Sequence, residues 1–536
     1  MSIFSKFRKK KTTQIRQYEN QQEVNFMNGI SYKPNPLTTL KMVAGSSIFG
    51  EPSYYRNSHD TQKYIDKLFP WAAPFTFKDE ATTTDVFIKV VDKALEYDFK
   101  GTLDLAKELR QDYYMRLNPS LILVRAIMHP NRIAFTTETG AYLRNIGCDI
   151  ILRPDDITNQ FDLFLFFNKT KNRMPSILKR IWKQKLEGFT RYQLNKYKSK
   201  ALIDLIRICH ANNEIIDELM QTGKIIVADT EKTWENLRSE QNSWATIFDK
   251  TYVPHMALLR NLRNIFQSLD SNTAQLAFAK SILTQLKNGV AKGKQFPFRY
   301  YSAYNEISKM DIQFKQQVLT AIDQCVDKAV GNFPRLKGKT ICLCDNSGSA
   351  WGSFNSQYGS VTVATIANLS SIITAVQSEE GHVGVFGDRL SIKKVTKSKG
   401  ILAQLKETSA RGKAQGQSTE NGIWLFFDEA IRKKIWYDNI FIYSDMQAGH
   451  GGLYGTNAKA YANYTIKGNY IDVLKLVQVY REKVNPKANI FSVQVAGYKN
   501  SVVPENLYRT SILTGWTGKE VVFANYMRQM WDELER

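Results

Sequence analysis

Two periodicities in this 536-residue chain predict an α + α/β protein: an α-solenoid followed by a domain built on a parallel sheet. From about residue 81 to 330, apolar residues recur at helical spacing, with breaks about every ten to twenty residues. After the connector Gly331–Lys339, which carries Pro334, Gly338 and three bases, short apolar runs alternate with helical stretches. Two of those runs stop abruptly at an acid. A buried parallel strand reads this way, and its C-terminal end is where open α/β sheets place ligands.

The totals narrow the class of partner. With 43% hydrophobic and 23% charged residues the chain has the composition of a folded protein of two to four domains, not of a disordered one. Its formal net charge of +22 calls for a polyanion, most simply nucleic acid, with an acidic membrane surface as the rival. No apolar run approaches the roughly 18 residues of a spanning helix. The most apolar piece, Phe161–Phe167, is core-sized. Residues 1–27 read as a basic arm, with Lys6, Arg8, Lys9, Lys10 and Lys11 around Phe4 and Phe7 and no secretory signal pattern. Cys148, Cys209, Cys325, Cys342 and Cys344 lie in apolar patterns without zinc-ligand spacing. Reduced thiols and a cytoplasmic location follow as the expectation.

Within the helical part, Met256–Leu269 is the clearest element. Leu258, Leu262, Ile265, Phe266 and Leu269 share one face, and Arg260 and Arg263 fall outside it. Pro175–Leu186 repeats the pattern, with Leu178, Ile181 and Trp182 inward and Lys179, Arg180 and Lys183 outward; Pro175 suits a first helical turn. Ser199–His210 and Asn213–Thr222 read as a helical hairpin, capped by Asn212 or Asn213 and closed by Gly223. Such antiparallel pairs, with no strong strands between them, suggest HEAT- or armadillo-like repeats over 28–335.

Residues 336–536 open with Thr340-Ile-Cys-Leu-Cys-Asp345-Asn-Ser347-Gly-Ser349, a strand followed by a tight loop. Asp345, Ser347 and Ser349 offer three oxygen donors, a low-charge set that suits a hard divalent cation such as Mg²⁺. A helix over 361–377 follows, then a strand over 382–388 and a polar loop Gly416–Glu420 opening a helix from Asn421. Asn439–Asp445 is a further strand ending in an acid, and the loop behind it, to Tyr454, is glycine-rich. Three strand-end loops thus bring Asp345, Ser347 and Ser349 together with Thr419 and Asp445. In order and spacing this resembles a von Willebrand factor A domain with its metal-ion-dependent adhesion site. Ser418 stands beside Thr419, so either of the two supplies the hydroxyl.

The helical part carries words of its own. Asn28-Gly29, Leu37–Gly45 and Ser53–Tyr55, then Lys196-Tyr197-Lys198 with Asp204–His210, then Thr233-Trp234-Glu235 and Met256–Leu262, resemble the Ro family, a TROVE module joined to an A domain, in a bacterial or phage form. The resemblance implies a monomeric ring of HEAT-like repeats closed by the A domain. It implies small noncoding Y-like RNA on the outer face, single-stranded ends of misfolded RNA in the central hole, and a role in RNA quality control or as a ribonucleoprotein scaffold, with an exoribonuclease as a further partner and no membrane. Lys196, Lys200 and His210 match the family's Y-RNA contacts, although the segment lacks the family's Gly-Trp-Ser insertion.

The residues support an RNA reading on their own terms. Folded RNA is held through phosphate neutralisation, 2′-hydroxyl contacts and stacking on unpaired bases. Lys196, Lys198, Lys200, Arg207 and His210, extended upstream by Lys179, Arg180 and Lys183, offer the cations, and Tyr197 a stacking plane. A solvated helix face is the plainer account of the same run. Arg125, Arg260 and Arg263 are candidates for a single-strand path. No nucleophile–base constellation is evident, so no enzymatic activity is expected. The alternative function is a metal-dependent, adhesion-type protein-interaction scaffold; a metal-dependent nuclease would need more carboxylates than this loop set supplies.

Overall fold

The computed structural model describes residues 22–24, 30–32, 35–46, 83–112, 115–135, 139–226, 232–269, 273–293, 295–331, 333–351, 353–356, 359–416, 422–444, 465–466, 470–471, 473–495, 508–514 and 520–534. The basic arm lies outside them apart from β1 (Gln22–Val24), which pairs antiparallel with β2 (Ile30–Tyr32). The chain divides into two compact units, with the main division between Glu231 and Lys232 and with residues 17–34, which include β1 and β2, joined to the second. It therefore falls inside the helical part, whereas secondary structure changes class near Leu336.

The first unit is helical: α1 (Pro36–Ser46), α2 (Thr83–Tyr97), α3 (Phe99–Gln111), α4 (Leu117–Met128), a 3-10 turn (Pro130–Phe135), α5 (Thr139–Ile150), α6 (Pro154–Phe167), α7 (Ser176–Glu187), α8 (Arg191–Lys196), α9 (Lys200–Cys209) and α10 (Glu214–Thr222). Helix contacts run to partners one, two or three places along the chain, as α3 with α4 and α5, and α7 with α9. The expected inward stripe of α7 is buried at Leu178, Ile181 and Trp182, and Pro175 occupies the N-cap. In the core, the Trp182 indole N–H donates to Gln160 Oε1 (2.9 Å), and Gln160 Nε2 donates to the Ser120 hydroxyl (3.3 Å).

Asp156 anchors the start of α6. Its Oδ2 accepts the Leu152 and Arg153 N–H groups (3.1 and 3.0 Å) and Arg110 Nη2 (2.9 Å). Its Oδ1 accepts Arg116 Nε and Nη2 (3.2 and 2.8 Å). Burial pushes this carboxyl upward, but the Arg116 and Arg110 charges outweigh it and hold the group below the usual carboxylate range.

The helical hairpin forms as its punctuation requires. Ser199 Oγ accepts the Leu202 N–H (3.1 Å) at the start of α9, and Asn213, not Asn212, caps α10 by accepting the Ile216 N–H (2.8 Å). Gly223 ends α10 at φ 71°. His210 ends α9 in the same left-handed region (φ 51°), a position where glycine is the usual occupant.

The second unit begins with α11 (Trp234–Ser239), α12 (Trp244–Lys250), α13 (His255–Gln267), α14 (Thr273–Gly293), α15 (Pro297–Ser308) and α16 (Lys315–Gly331). Leu258, Leu262, Ile265 and Phe266 are buried along α13, and Arg260 and Arg263 are exposed, as the stripe requires. His255 sits in a notch of α14: a side chain on Gly289 or Gly293 would run into its ring. Its Nε2 meets the Tyr300 hydroxyl at 2.7 Å.

The α/β part comprises β3 (Leu336–Asp345), a 3-10 turn (Ser349–Trp351), the hairpin β4 (Ser353–Ser356) and β5 (Gly359–Thr362), α17 (Val363–Gln377), β6 (Ser378–Phe386), β7 (Leu390–Lys394), α18 (Ile401–Lys413), α19 (Gly422–Arg432), β8 (Asn439–Ser444), β9 (Thr465–Ile466), β10 (Tyr470–Ile471), α20 (Val473–Lys483), β11 (Asn489–Gln494), β12 (Thr510–Thr514) and α21 (Glu520–Leu534). Leu336–Lys339, read from sequence as connector, already belongs to β3. The strand expected over 382–388 starts four residues earlier and ends at Phe386. The main sheet has the order β12-β11-β8-β3-β6-β7, parallel throughout except for β7, an antiparallel edge strand.

Helices cover both faces. Ile341, Leu343, Ile440 and Ile442 pack with Phe427 and Tyr480 from α19 and α20. On the other face, Tyr443 meets Thr374 of α17 through their hydroxyls (2.7 Å), and Phe491 stacks on Trp531 of α21. From β3 the chain runs to β6 on one side, and from β8 to β11 on the other. The switch point of the sheet therefore lies between β3 and β8. α16 is bonded to this layer: Asp327 and Asp323 accept the Ile401 and Leu402 N–H groups at the start of α18 (3.0 and 3.3 Å), and Gln377 donates to the Val330 carbonyl (2.7 Å).

Candidate nucleic-acid interface and metal site

Asp345 stands at the C-terminal end of β3, beside that switch point, and is fully buried. Its Oδ1 accepts the Ser347 N–H (3.0 Å) and its Oδ2 accepts the hydroxyl of Ser444, the last residue of β8 (3.0 Å). Ser347 is buried beside it, and Ser349 opens the 3-10 turn; the Ser349 side chain, Ser418, Thr419 and Asp445 lie outside the described residues. The segment before residue 417 ends beside the C-terminal end of β6. A side chain on Gly387, just past β6, would collide with the Gly416 carbonyl, and Arg389 N–H donates to the Gln415 carbonyl (3.0 Å).

Sequence reasoning passed over the brace of this loop. Asn346 and Asn368 exchange side-chain amide bonds in both directions (2.9 and 3.0 Å) while buried. The Trp351 indole N–H donates to the Asn346 carbonyl (3.1 Å), with Lys413 over the Trp351 ring. Two asparagines carry no catalytic signature, so only the fold could reveal them. The donor set of carboxylate and hydroxyl oxygens fits a hard divalent cation better than a soft one. Among the described residues there is no cluster of three His, Cys, Asp or Glu side chains.

The residues expected at an outer RNA surface fall into two groups at the two ends of α9, which is about 15 Å long by helical rise. Lys196, Lys198 and Lys200 stand at its start, all exposed. Lys196 Nζ donates to the Tyr192 hydroxyl (2.9 Å) and lies near the Tyr192 and Tyr197 rings (5.3 and 5.9 Å). The Arg153 guanidinium covers Tyr197 at 4.6 Å, so Tyr197 is not an open stacking plane; Tyr192, 41% exposed, is the more accessible ring. Lys198 donates to the Gly223 carbonyl (2.9 Å).

At the other end, Lys179 and Lys183 of α7 lie near Cys209. Burial pushes that thiol up to about 11, against the pull of the two lysines. Arg207 and His210 are exposed there, and Arg180 is exposed on α7. Arg191, by contrast, is tied to Glu218. Arg125 forms a two-point pair with Asp92 (2.6 and 2.7 Å), which gives it a structural task.

Residues 217–381 match the TROVE domain. That stretch is the part of the chain that is similar to the TROVE family. The matched stretch runs from inside α10 to the start of β6, so it crosses both the unit division and the change of class, and it leaves the Lys196–Lys200 group upstream. Mouse (Mus musculus) Telomerase protein component 1 is 29% identical to this chain over 126 residues, and the rat (Rattus norvegicus) protein 26% over 102 residues. Those stretches are 23% and 18% of this chain but only 5% and 4% of the relatives. The crystal structure of the Deinococcus radiodurans Ro (RSR) protein is similar in fold, with a TM-score of 0.55 at 15% identity, covering 92% of this chain and 99% of that one.

Proposed function

We propose that this chain is a Ro-type RNA-binding protein. It holds a small, structured, Y-like noncoding RNA on the basic surface at the two ends of α9 and takes single-stranded ends of misfolded RNA elsewhere. The observation that carries this reading is the exposed Lys196, Lys198 and Lys200 group beside Tyr192, on a chain of net charge +22. Clustered cations neutralise phosphates, and a neighbouring aromatic ring stacks on an unpaired base. The role is that of a ribonucleoprotein scaffold in RNA quality control without chemistry of its own, in the cytoplasm, as a monomeric ring to which RNA can tether an exoribonuclease. Asp345 with Ser347, Ser349, Thr419 and Asp445 would hold Mg²⁺, which supplies an open coordination position to an oxygen ligand.

The test is the double variant Lys196→Glu, Lys200→Glu, with a fluorescent hairpin RNA titrated against the full chain at several salt concentrations. The expected result is a loss of about tenfold or more in affinity and a shallower salt dependence. Affinity and salt slope equal to those of the unaltered chain would reject the assigned surface. Failure of the unaltered chain to bind RNA at low salt would reject the function.

A further inference from the structure

The segment from Arg389 to Lys413 carries eight bases (Arg389, Lys393, Lys394, Lys397, Lys399, Lys406, Arg411 and Lys413) and the single acid Glu407. It forms the edge strand β7, the turn after it and α18, all inside the second unit. Between strand and helix lies a cavity of about 80 Å³, lined by Lys393, Thr396, Lys399, Gln404, Glu407 and Arg411 among others. About 10–15 Å³ of such space admits one water, so the cavity has room for several waters or for the oxygens of a phosphate.

The cavity is built, not incidental. Buried Gln404 fastens the turn that carries Lys399, accepting the Thr396 N–H (3.0 Å) and donating to the Thr396 and Lys399 carbonyls (3.0 and 2.8 Å). Glu407 gathers Lys393 (3.4 Å) and Lys399 to the rim and neutralises only one of them. Arg411 donates Nη2 to the Val383 carbonyl (3.2 Å), while its Nη1 is buried with no hydrogen-bond partner among the described residues. An unmet guanidinium N–H is costly unless something supplies an acceptor. Among the described residues β7 is the last strand of its sheet, with no neighbouring strand on its outer backbone N–H groups.

We infer that Lys393, Lys399 and Arg411 form a phosphate-binding pocket that grips the backbone of an RNA strand, a second RNA contact on the α/β layer. The inference rests on the RNA-binding reading above and extends it to a surface that reading does not use.

The test uses the full chain and a fluorescent single-stranded RNA oligonucleotide. Lys393→Ala with Lys399→Ala alters only the rim, and Arg411→Lys keeps the charge but removes the fork. The double variant should lose about tenfold in affinity, and its salt slope should fall by about 1.4, two single-strand phosphate contacts at about 0.7 each. The same loss should appear when the pair is introduced into the Lys196→Glu, Lys200→Glu chain. Folded double variant that binds the oligonucleotide as the unaltered chain does, with the same slope, overturns the pocket while leaving the RNA function standing. If inorganic phosphate raises the thermal midpoint in a Lys393- and Lys399-dependent way while RNA binding is unchanged, the pocket takes the free anion and the RNA assignment fails. An unaltered chain that binds no RNA overturns both.

Discussion

Ser444, the last residue of β8, donates its hydroxyl to Asp345 Oδ2 at the end of β3 across 3.0 Å. The bond locks two strand ends at the switch point of the sheet and aims the carboxylate while it is buried. If that carboxylate anchors Mg²⁺, ligand binding to the folded state must stabilise it, by about 2.7 kcal/mol at a hundredfold excess over Kd. Thermal melts with MgCl2 and with EDTA should therefore separate for the unaltered chain and coincide for Asp345→Asn. Equal Mg²⁺ shifts in both proteins would remove Asp345 from the metal site.

Asp156 should govern the acid sensitivity of the first unit. Its carboxyl is held below the ordinary range, so the folded state binds its proton less readily than the unfolded state. The stabilisation is complete above about pH 4 and drains away as pH falls toward the lower folded value. Asp156→Asn would leave Arg110 and Arg116 buried without their anion, at a cost of about 3–5 kcal/mol. Urea titrations followed by circular dichroism should show this loss at pH 7 and a flatter response between pH 5 and 3. A variant as stable as the parent would show that the cluster is replaceable.

His255 sets a second pH limit, in the other unit. Burial lowers its pKa, against a smaller upward pull from the Leu286 carbonyl, so the neutral ring is favoured in the folded state. The sign is again acid-sensitive: stability is whole above about pH 6.5 and declines as pH falls below it. His255→Phe should flatten the profile between pH 7 and 5. Gly293→Ala, which drives a methyl into the ring, should cost about 1–3 kcal/mol at every pH. A parallel pH profile for His255→Phe would assign the acid sensitivity to other groups.

His210 offers a way to separate capping from recognition. At φ 51° it holds a conformation that glycine adopts without strain, so His210→Gly should leave the thermal midpoint nearly unchanged, within about 1 kcal/mol. If the exposed imidazole touches RNA, the same variant should lose about three- to tenfold in hairpin affinity, since one hydrogen bond contributes about 0.5–1.5 kcal/mol. Unaltered affinity would leave His210 as a helix stop and nothing more.

What the sequence disclosed and what it hid have physical reasons. Ser199, Asn213 and Gly223 act through bonds to neighbours three or four residues away, so their roles were readable locally. The α13 stripe and the strand ending at Asp345 were readable for the same reason. β7 was not: it is short, polar and mostly exposed, and its pairing partner, not its own pattern, makes it a strand. The notch for His255 depends on glycines more than thirty residues downstream, and the Asn346–Asn368 brace on a helix that begins beyond an intervening hairpin. The basic run from Arg389 to Lys413 did carry a composition signal, but its meaning depends on the cavity that β7 and α18 enclose.

The bonds from Asp323 and Asp327 to the first turn of α18 bear on how this chain can be divided. A gene cut where helices give way to strands would bare the carboxylates of α16 and strip the opening amides of α18 together, leaving two fragments with raw faces. The joint behaves as a weld between secondary-structure classes, so evolution and protein engineers alike should find a cut near residue 232, with residues 17–34 kept on the far side, gentler than one at Leu336.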